Sequence, residues 1–334
     1  MRRPSRLMAM LGIVSCCALA IHGVAQPSPR GYVDMAYDSE SELFVLFGGQ
    51  NTTPGDENAE TWIYDPDTAT WEQRFPDPAP PARGAHALAY DSRSDRVVLF
   101  GGAGGDGAQQ FTDLWSYDAN TDAWTLHEPA SEVVPPGRVG GRMAYDAESD
   151  RIVVFGGLDW SRRQLLADTW ILDLDTSSWE EVVTDPSPPQ RNFHQMAYDP
   201  GSDEVFLWGG DIRPYSDWGV LWSFDVNSAT WTPHEKTDRP VSVYYGRLVA
   251  LPGDGRLLLY GGGATGSEAT WLYDPAMEVW TEVQSDGPGD RSRFALAGGG
   301  EGAYLFGGQQ GSTNFEYEND LWRFDPASLE WVRP

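Results

Sequence analysis

Six short apolar runs along the chain each close on a pair of glycines, at Gly48-Gly49, Gly101-Gly102, Gly156-Gly157, Gly209-Gly210, Gly261-Gly262 and Gly307-Gly308. In the third copy the run is Arg151-Ile152-Val153-Val154-Phe155, β-branched and aromatic and too short for a helix, so it predicts a buried strand. Met143-Ala144-Tyr145-Asp146 predicts a strand ahead of it, with Ala147-Glu148-Ser149-Asp150 as the turn between them. Downstream of a polar stretch, Thr169-Trp170-Ile171-Leu172-Asp173 predicts a third strand and Ser178-Trp179-Glu180-Glu181-Val182 a fourth, joined by the turn Leu174-Asp175-Thr176-Ser177. Four antiparallel strands make one unit.

Behind each diglycine stand two tryptophans nine residues apart: Trp62/Trp71, Trp115/Trp124, Trp170/Trp179, Trp222/Trp231, Trp271/Trp280 and Trp322/Trp331. The unit therefore repeats six times, with a period of 46 to 55 residues between diglycines. No segment sustains a 3.6-residue apolar period, and 37 glycines and 24 prolines punctuate the chain too densely for long helices. The fold class is all-β. A four-stranded unit cannot cover both its faces alone, whereas six packed face to face around an axis bury both and leave few free edges, which predicts a six-bladed β-propeller. The repeats are in phase from Arg30 to Trp331, so a last blade drawn whole from one end and one shared between both ends read the same in sequence.

Within each copy a tyrosine precedes the second tryptophan at a fixed interval, as in Tyr64…Trp71, Tyr117…Trp124 and Tyr273…Trp280, with Phe224…Trp231 and Phe324…Trp331 as conservative variants and Leu172…Trp179 as a departure. An apolar strand ending in Gly-Gly, followed by this Tyr and Trp, resembles the kelch repeat, and six tandem matches over some three hundred residues make the likeness specific. The resemblance implies a kelch-type propeller of the galactose-oxidase-like superfamily, similar to bacterial exported kelch-repeat proteins. The twelve glycines, the paired tryptophans and the Tyr or Phe then read as scaffold, since each buried indole withdraws about 150–250 Å² from water, on the order of 4–6 kcal/mol gross.

Two charged positions also repeat. Arginine stands before the first strand at Arg30, Arg83, Arg138, Arg191 and Arg291, with Tyr244 in the slot of the fifth copy, and an acid stands two residues before the first Trp at Glu60, Asp113, Asp168 and Asp320 but becomes Val220 and Ala269 in copies four and five. The near-coincidence of the losses predicts a charge-assisted hydrogen bond between the two, within or between blades.

In an up-and-down unit the turns joining strands one to two and three to four share one face, and the loops joining two to three and four to the next unit share the other. The first set is short and uniform; the second is long and varied, the form of a binding face on a rigid scaffold. Its loops carry aromatic and basic residues that the framework does not require: Trp160, Arg162 and Arg163 in copy three, Arg213, Tyr215 and Trp218 in copy four, Phe315 and Tyr317 in copy six. These are the candidate ligand-binding residues, with Trp160 and Trp218 foremost, whereas Trp208 lies in a diglycine strand and reads as core.

Other constellations are weaker. Gly102-Ala103-Gly104-Gly105-Asp106-Gly107 has dinucleotide-loop spacing without a following helix and reads as a glycine-rich loop. Asp65-Pro66-Asp67 and Asp173-Leu174-Asp175 have calcium-like spacing but lack the rest of an EF-hand, so turn chemistry is preferred. His86 and His194 share one repeat position, yet no third ligand stands in register; no metal, cofactor or catalytic residue is assigned.

Residues 1–25 have a basic start, a short apolar stretch and Gly23-Val24-Ala25 before Gln26, which reads as a signal peptide rather than a membrane span, leaving 26–334 as one propeller domain. Ile13-Val14-Ser15-Cys16 offers the alternative of a lipoprotein anchored through Cys16. Cleavage after Ala25 removes both cysteines, and with Arg2, Arg3 and Arg6 gone the net charge moves from −27 to −30. That charge repels nucleic acid and anionic lipid, and leaves cations, basic proteins and neutral glycans as partners. The preferred reading is a monomeric, secreted or periplasmic, non-catalytic module that binds a protein or carbohydrate through the long-loop face. Kelch-like relatives imply an enzyme alternative: a galactose oxidase needs a Tyr–Cys crosslink that a cysteine-free mature chain cannot form, while a sialic acid mutarotase-like epimerase needs an acid–base group and an arginine, for which Glu268, Arg213 and Arg247 are candidates.

Overall fold

The computed structural model describes residues 25–51, 55–105, 109–212, 219–235, 240, 244–262, 269–311 and 316–334. The leader read over residues 1–25 falls outside this set except for Ala25, as do Arg213, Tyr215, Trp218, Phe315, Glu268 and Cys16. Six antiparallel four-stranded blades follow one another, and each takes its strands consecutively from the chain. Their innermost strands are Asp34–Asp38, Ala87–Asp91, Arg142–Asp146, Gln195–Asp199, Arg247–Ala250 and Ala295–Gly299. The structure is thus a six-bladed β-propeller, and no helix occurs among the described residues.

The core is divided among the six blade interfaces. Each apolar cluster joins the strands of two neighbouring blades, as where Phe47 and Ile63 of blade 1 meet Leu99, Trp115 and Trp124 of blade 2. Every second interface carries an added hydrogen bond. The second tryptophan of each even blade donates its indole N–H to a threonine of the preceding blade, Trp124 to Thr61, Trp231 to Thr169 and Trp331 to Thr270, each at 2.9 Å. At all six interfaces the second tryptophan also packs on an aromatic of the preceding blade: Trp71 on Phe306, Trp124 on Phe47, Trp179 on Phe100, Trp231 on Phe155, Trp280 on Trp208 and Trp331 on Tyr260. Trp208 is fully buried, as its place in the diglycine strand implies. Of the twelve paired tryptophans, Trp271 and Trp322 are only partly buried, the latter beneath the Arg333 guanidinium.

The diglycines join blade to blade. The second glycine donates its N–H to the carbonyl of the arginine that opens the next blade: Gly49 to Arg83, Gly102 to Arg138 and Gly262 to Arg291, each at 2.9 Å. Only glycine serves at Gly102, whose φ is +87° and whose added Cβ would lie 2.8 Å from the Gly84 carbonyl oxygen. The same bond closes the ring, since Gly308 donates to Arg30 at 2.8 Å while Arg30 donates to Glu318 at 3.1 Å. The segment before the first strand therefore laps onto blade 6, and neither terminal blade borrows a strand from the other end of the chain.

The sequence pattern ends a strand at every diglycine, but blade 3 runs on: Arg151–Asp159 pairs with Gln164–Asp173 well past it. A register shift between Phe155 and Gly157 absorbs the left-handed Gly156 and lets the hairpin continue. Blade 6 extends likewise, over Gly302–Gln310 and Tyr317–Asp325. At the opposite face the turns are closed by aspartates, as Asp65 accepts the amides of Asp67 and Thr68 at 2.9 and 3.2 Å and Asp173 accepts that of Thr176 at 3.0 Å. Much of the chain's acidity is this turn chemistry.

The repeated arginine and acid meet inside each of the four blades that carry both. Arg83 forks onto Asp113 at 2.7 Å through both terminal nitrogens, Arg138 onto Asp168 at 3.0 and 2.9 Å, and Arg291 onto Asp320 at 2.7 and 3.2 Å, while Arg30 reaches Glu60 at 2.6 Å. Each acid also accepts the indole N–H of the first tryptophan, as Asp168 does from Trp170 at 2.7 Å. Burial pushes the Asp113 and Asp320 carboxyls up, but the arginine and the indole outweigh it and hold both below the usual carboxylate range.

Candidate functional site

Two residues past the arginine slot of each copy the chain turns through a left-handed residue: Tyr32, Ala85, Gly140, Phe193, Tyr245 and Arg293, all with φ between 51° and 65°. Their backbones hydrogen-bond in a circle about the axis. Ala85 donates to Tyr32, Gly140 to Ala85, Phe193 to Gly140, Tyr245 to Phe193, Arg293 to Tyr245, and Tyr32 to Arg293, at 2.7 to 3.2 Å. This ring also fixes the repeat register of blade 5. Tyr245 falls two residues past the arginine slot, which moves that slot to position 243 and corrects the alignment that placed Tyr244 in it.

On the loop-bearing side, the side chains of the ring form an aromatic floor. Phe193 and Tyr245 lie 4.2 Å apart between centroids, and Tyr32 meets them at 5.9 and 5.8 Å. The Arg293 guanidinium stacks over Tyr245 at 4.5 Å and Tyr32 at 5.1 Å, and its Nε donates to the Tyr32 hydroxyl at 2.7 Å. Above the floor opens a pocket of about 290 Å³ with Gln50 and Glu57 among its walls and Trp160 at its edge. Aromatic faces beside a few polar groups suit the flat apolar side of a sugar or an anchoring side chain of a protein.

Trp160 is 54% exposed and sits at the tip of the extended blade 3 hairpin. That tip is fastened down. Asp159 accepts the Ser161 hydroxyl at 2.6 Å, the Arg162 amide at 3.0 Å and the Arg162 guanidinium at 3.1 Å, so that, against the upward push of its burial, its carboxyl stays below the usual range. Gln110 of blade 2 accepts the Ser161 amide at 2.9 Å and donates to Leu158 at 3.0 Å. The indole is therefore presented without a large ordering cost on binding. It also borders a second crevice of about 400 Å³, shared with Gln110, Thr112 and Pro136.

Of the candidates from sequence, Trp160 lines the axial pocket. Arg162 is committed to Asp159, and Arg163 is the left-handed residue that closes the hairpin turn. Tyr317 packs over Gly31, where a Cβ would come within 2.3 Å of its ring, and donates its hydroxyl to Gln50 at 3.3 Å. Burial pushes that hydroxyl up to about 12, and the residue seals the junction of blades 6 and 1 behind the pocket. Arg213, Tyr215, Trp218 and Phe315 lie outside the described residues. Arg247, expected near the loop face, is instead buried within the axial channel below the ring. Tyr32, Phe193, Tyr245 and Arg293 were not singled out from sequence. Their signal was the variable slot two residues after a constant arginine, which reads Tyr, Ala, Gly, Phe and Arg in the copies that keep it.

His86 and His194 do not share a site. Each packs edge-on against the preceding blade, on Phe47 and Phe155 with centroids 5.6 Å apart, and Phe294 takes the same place against Tyr260 in blade 6. Burial, then the neighbouring arginines, hold both imidazoles far below the ordinary histidine value, so both are neutral packing groups. Among the described residues no helix is long and apolar enough to cross a membrane.

A family model described as the KLHDC2/KLHL20/DRC7 Kelch-repeats domain matches residues 35–200 and 200–334. The chain is 29% identical to adagio-like protein 3 of Oryza sativa subsp. japonica, over 92% of this chain and 51% of that protein, so it spans about half the length of that relative. It is 29% identical to the N-(sulfonatooxy)prop-2-enimidothioate sulfolyase of Thlaspi arvense, over 77% of this chain and 80% of the relative. Similarity to the Rab9 effector protein with kelch motifs of Bos taurus reaches 31% identity over 55% of this chain and 50% of that protein.

Proposed function

The chain belongs to the kelch-repeat family, and from that membership we propose that it is an exported binding module that takes a protein or glycan partner on its loop-bearing face. The observation that carries this reading is the axial pocket, where Tyr32, Phe193 and Tyr245 make an aromatic floor and Trp160 a half-exposed edge on a hydrogen-bonded hairpin. A relative named as a Rab9 effector supports a protein partner, and the acidic chain favours a neutral or basic one. The leader over residues 1–25 supports export, and the membrane-anchored form through Cys16 is its alternative. The test is a glycan array and a pull-down with the mature chain beside Trp160→Ala and Tyr245→Ala. Loss of the captured partner in both supports the pocket, and undiminished capture in both defeats it.

The sulfolyase relative, matched over most of both chains, favours a second reading in which the same scaffold acts on a small organic anion. Turnover of a sulfonated or carboxylated substrate by the purified chain would establish it.

A further inference from the structure

Below the backbone ring lies a second cavity, a channel of about 450 Å³ walled by the innermost strands. The channel and the loop-face pocket share no lining residue among those described, so the ring separates them, and the channel opens at the face of the short turns. Tyr37, Tyr90, Tyr145 and Tyr198 stand near that mouth, and Met, Leu and Ala side chains line the passage. At its closed end the first positions of the innermost strands bring in the only charged side chains among its described lining residues: Asp34, Arg142 and Arg247.

The three charges do not balance. Arg142 and Arg247 are 7% and 6% exposed, and both turn toward the single Asp34 carboxylate, at 3.5 and 3.6 Å. Asp34 is already engaged by the amides of Met35 and Leu88, each at 3.1 Å. Arg142 also donates to the carbonyls of His194 and His86, and Arg247 to those of Val33 and Gly246. The Arg247 Nε is buried without an acceptor, and the Oε1 of Gln195, which stands between the two arginines in blade order, is buried without a donor. A buried cation in excess of its counter-ion is costly, and a chain with 50 acidic residues has spent none of the others here. Burial and then Arg247 draw the Arg142 guanidinium below the ordinary arginine value, with Asp34 opposing.

We propose that the closed end of the channel is a binding site for a small organic monocarboxylate, held by Arg142 and Arg247. A carboxylate fits the planar fork of a guanidinium, and its single charge matches the surplus of one positive charge. The apolar channel walls suit a slender aliphatic body, and the strongly negative exterior disfavours dianions such as phosphate. The site lies across the ring from the loop-face pocket and does not depend on that reading.

The experiment compares thermal midpoints of the purified chain in hexanoate, phosphate and chloride at equal ionic strength, with equilibrium dialysis of labelled hexanoate as the direct readout. Hexanoate at a hundredfold above its Kd should raise the midpoint by about 4 °C over chloride, with phosphate giving less. Arg142→Met should abolish both the rise and the retention in dialysis. Gln195→Glu supplies an internal carboxylate beside the same guanidiniums and should abolish both as well, which keeps the test decisive if the first variant does not fold. Equal effects of the three anions, or hexanoate binding that survives in either folded variant, would overturn the proposal.

Discussion

The backbone N–H of Tyr32 donates to the carbonyl of Arg293 at 2.8 Å, across 261 residues of sequence, and this bond completes a circle of six around the propeller axis. Each member must adopt a left-handed backbone for its N–H and C=O to point along the circle. Five of the six are not glycine, and each of those carries a conformational cost of about 1 kcal/mol. The ring tolerates this because breaking any one bond leaves a donor and an acceptor unpaired at the centre of the fold.

Ala85 and Gly140 occupy equivalent ring positions with φ of 55° and 65°, so glycine should be the better residue at both. Ala85→Gly is expected to raise the unfolding free energy by up to about 1 kcal/mol in urea melts. Gly140→Ala should lower it by more than that, because the new Cβ would lie 2.6 Å from the Phe193 ring.

Arg138 is 2% exposed and satisfies the Gly156 carbonyl at 2.9 Å as well as both oxygens of Asp168. Arg138→Met strands a partly buried carboxylate and a carbonyl together. The expected loss is about 3 kcal/mol, read as a lower urea midpoint at unchanged slope. An unchanged midpoint would instead assign the arginine a role outside the scaffold.

The strand count, the blade number and this Arg–acid pair were legible in sequence because each repeats, and a repeat makes one structural requirement visible several times over. The ring was not. It is made by backbone atoms, so its side chains are free to differ from Tyr32 to Ala85 to Arg293, and variation hides a shared geometry. The charged end of the channel was hidden for a related reason. Asp34, Arg142, Gln195 and Arg247 occupy one repeat slot but only converge when six blades close around an axis. Trp160 stood out in sequence as an indole that no blade needs, and it does line the pocket; the extension of the hairpin beneath it past Gly156-Gly157 did not stand out, because the same two glycines end the strand in four other blades.

Trp160 projects from the fold rather than into it, so Trp160→Ala should change unfolding free energy by no more than about 0.5 kcal/mol. A variant that folds as before yet loses the partner captured in the pull-down would separate recognition from stability at this residue. A large fall in stability would mean that the indole belongs to the packing of the hairpin.

His86 and His194 are buried neutral, which ties stability to pH. In the unfolded chain both take up a proton as pH falls through about 6.5, while the folded chain, whose values lie well below this, cannot follow. Their contribution is therefore complete above about pH 6.5 and is lost at about 1.4 kcal/mol per pH unit for each histidine below it. The carboxyls of Asp113 and Asp320 are shifted the same way and add acid sensitivity only below the ordinary carboxylate range. Replacing both histidines with phenylalanine, the residue that blade 6 carries as Phe294 in this position, should flatten the curve between pH 6.5 and 5. A slope as steep as that of the parent chain would show that other groups carry it.

The alternation of interfaces gives the last expectation. Thr61, Thr169 and Thr270 each precede the first tryptophan of an odd blade, and Leu114, Leu221 and Leu321 hold the same place in the even ones. Only the threonines receive an indole N–H from the next blade, so a buried hydrogen bond ties the blades in three pairs, in addition to the aromatic packing that all six interfaces share. Thr169→Val keeps the shape and removes the acceptor, leaving the Trp231 N–H buried and unpaired, for an expected loss of about 1–3 kcal/mol. Leu221→Thr, at the interface that lacks the bond, offers a hydroxyl where the neighbouring Trp280 packs on Trp208, and should destabilise as well, because the leucine sits in that apolar cluster. Hydrogen exchange at the Trp231 indole in Thr169→Val should accelerate while that at Trp124 and Trp331 stays slow; acceleration at all three would show that the six interfaces yield together rather than in pairs.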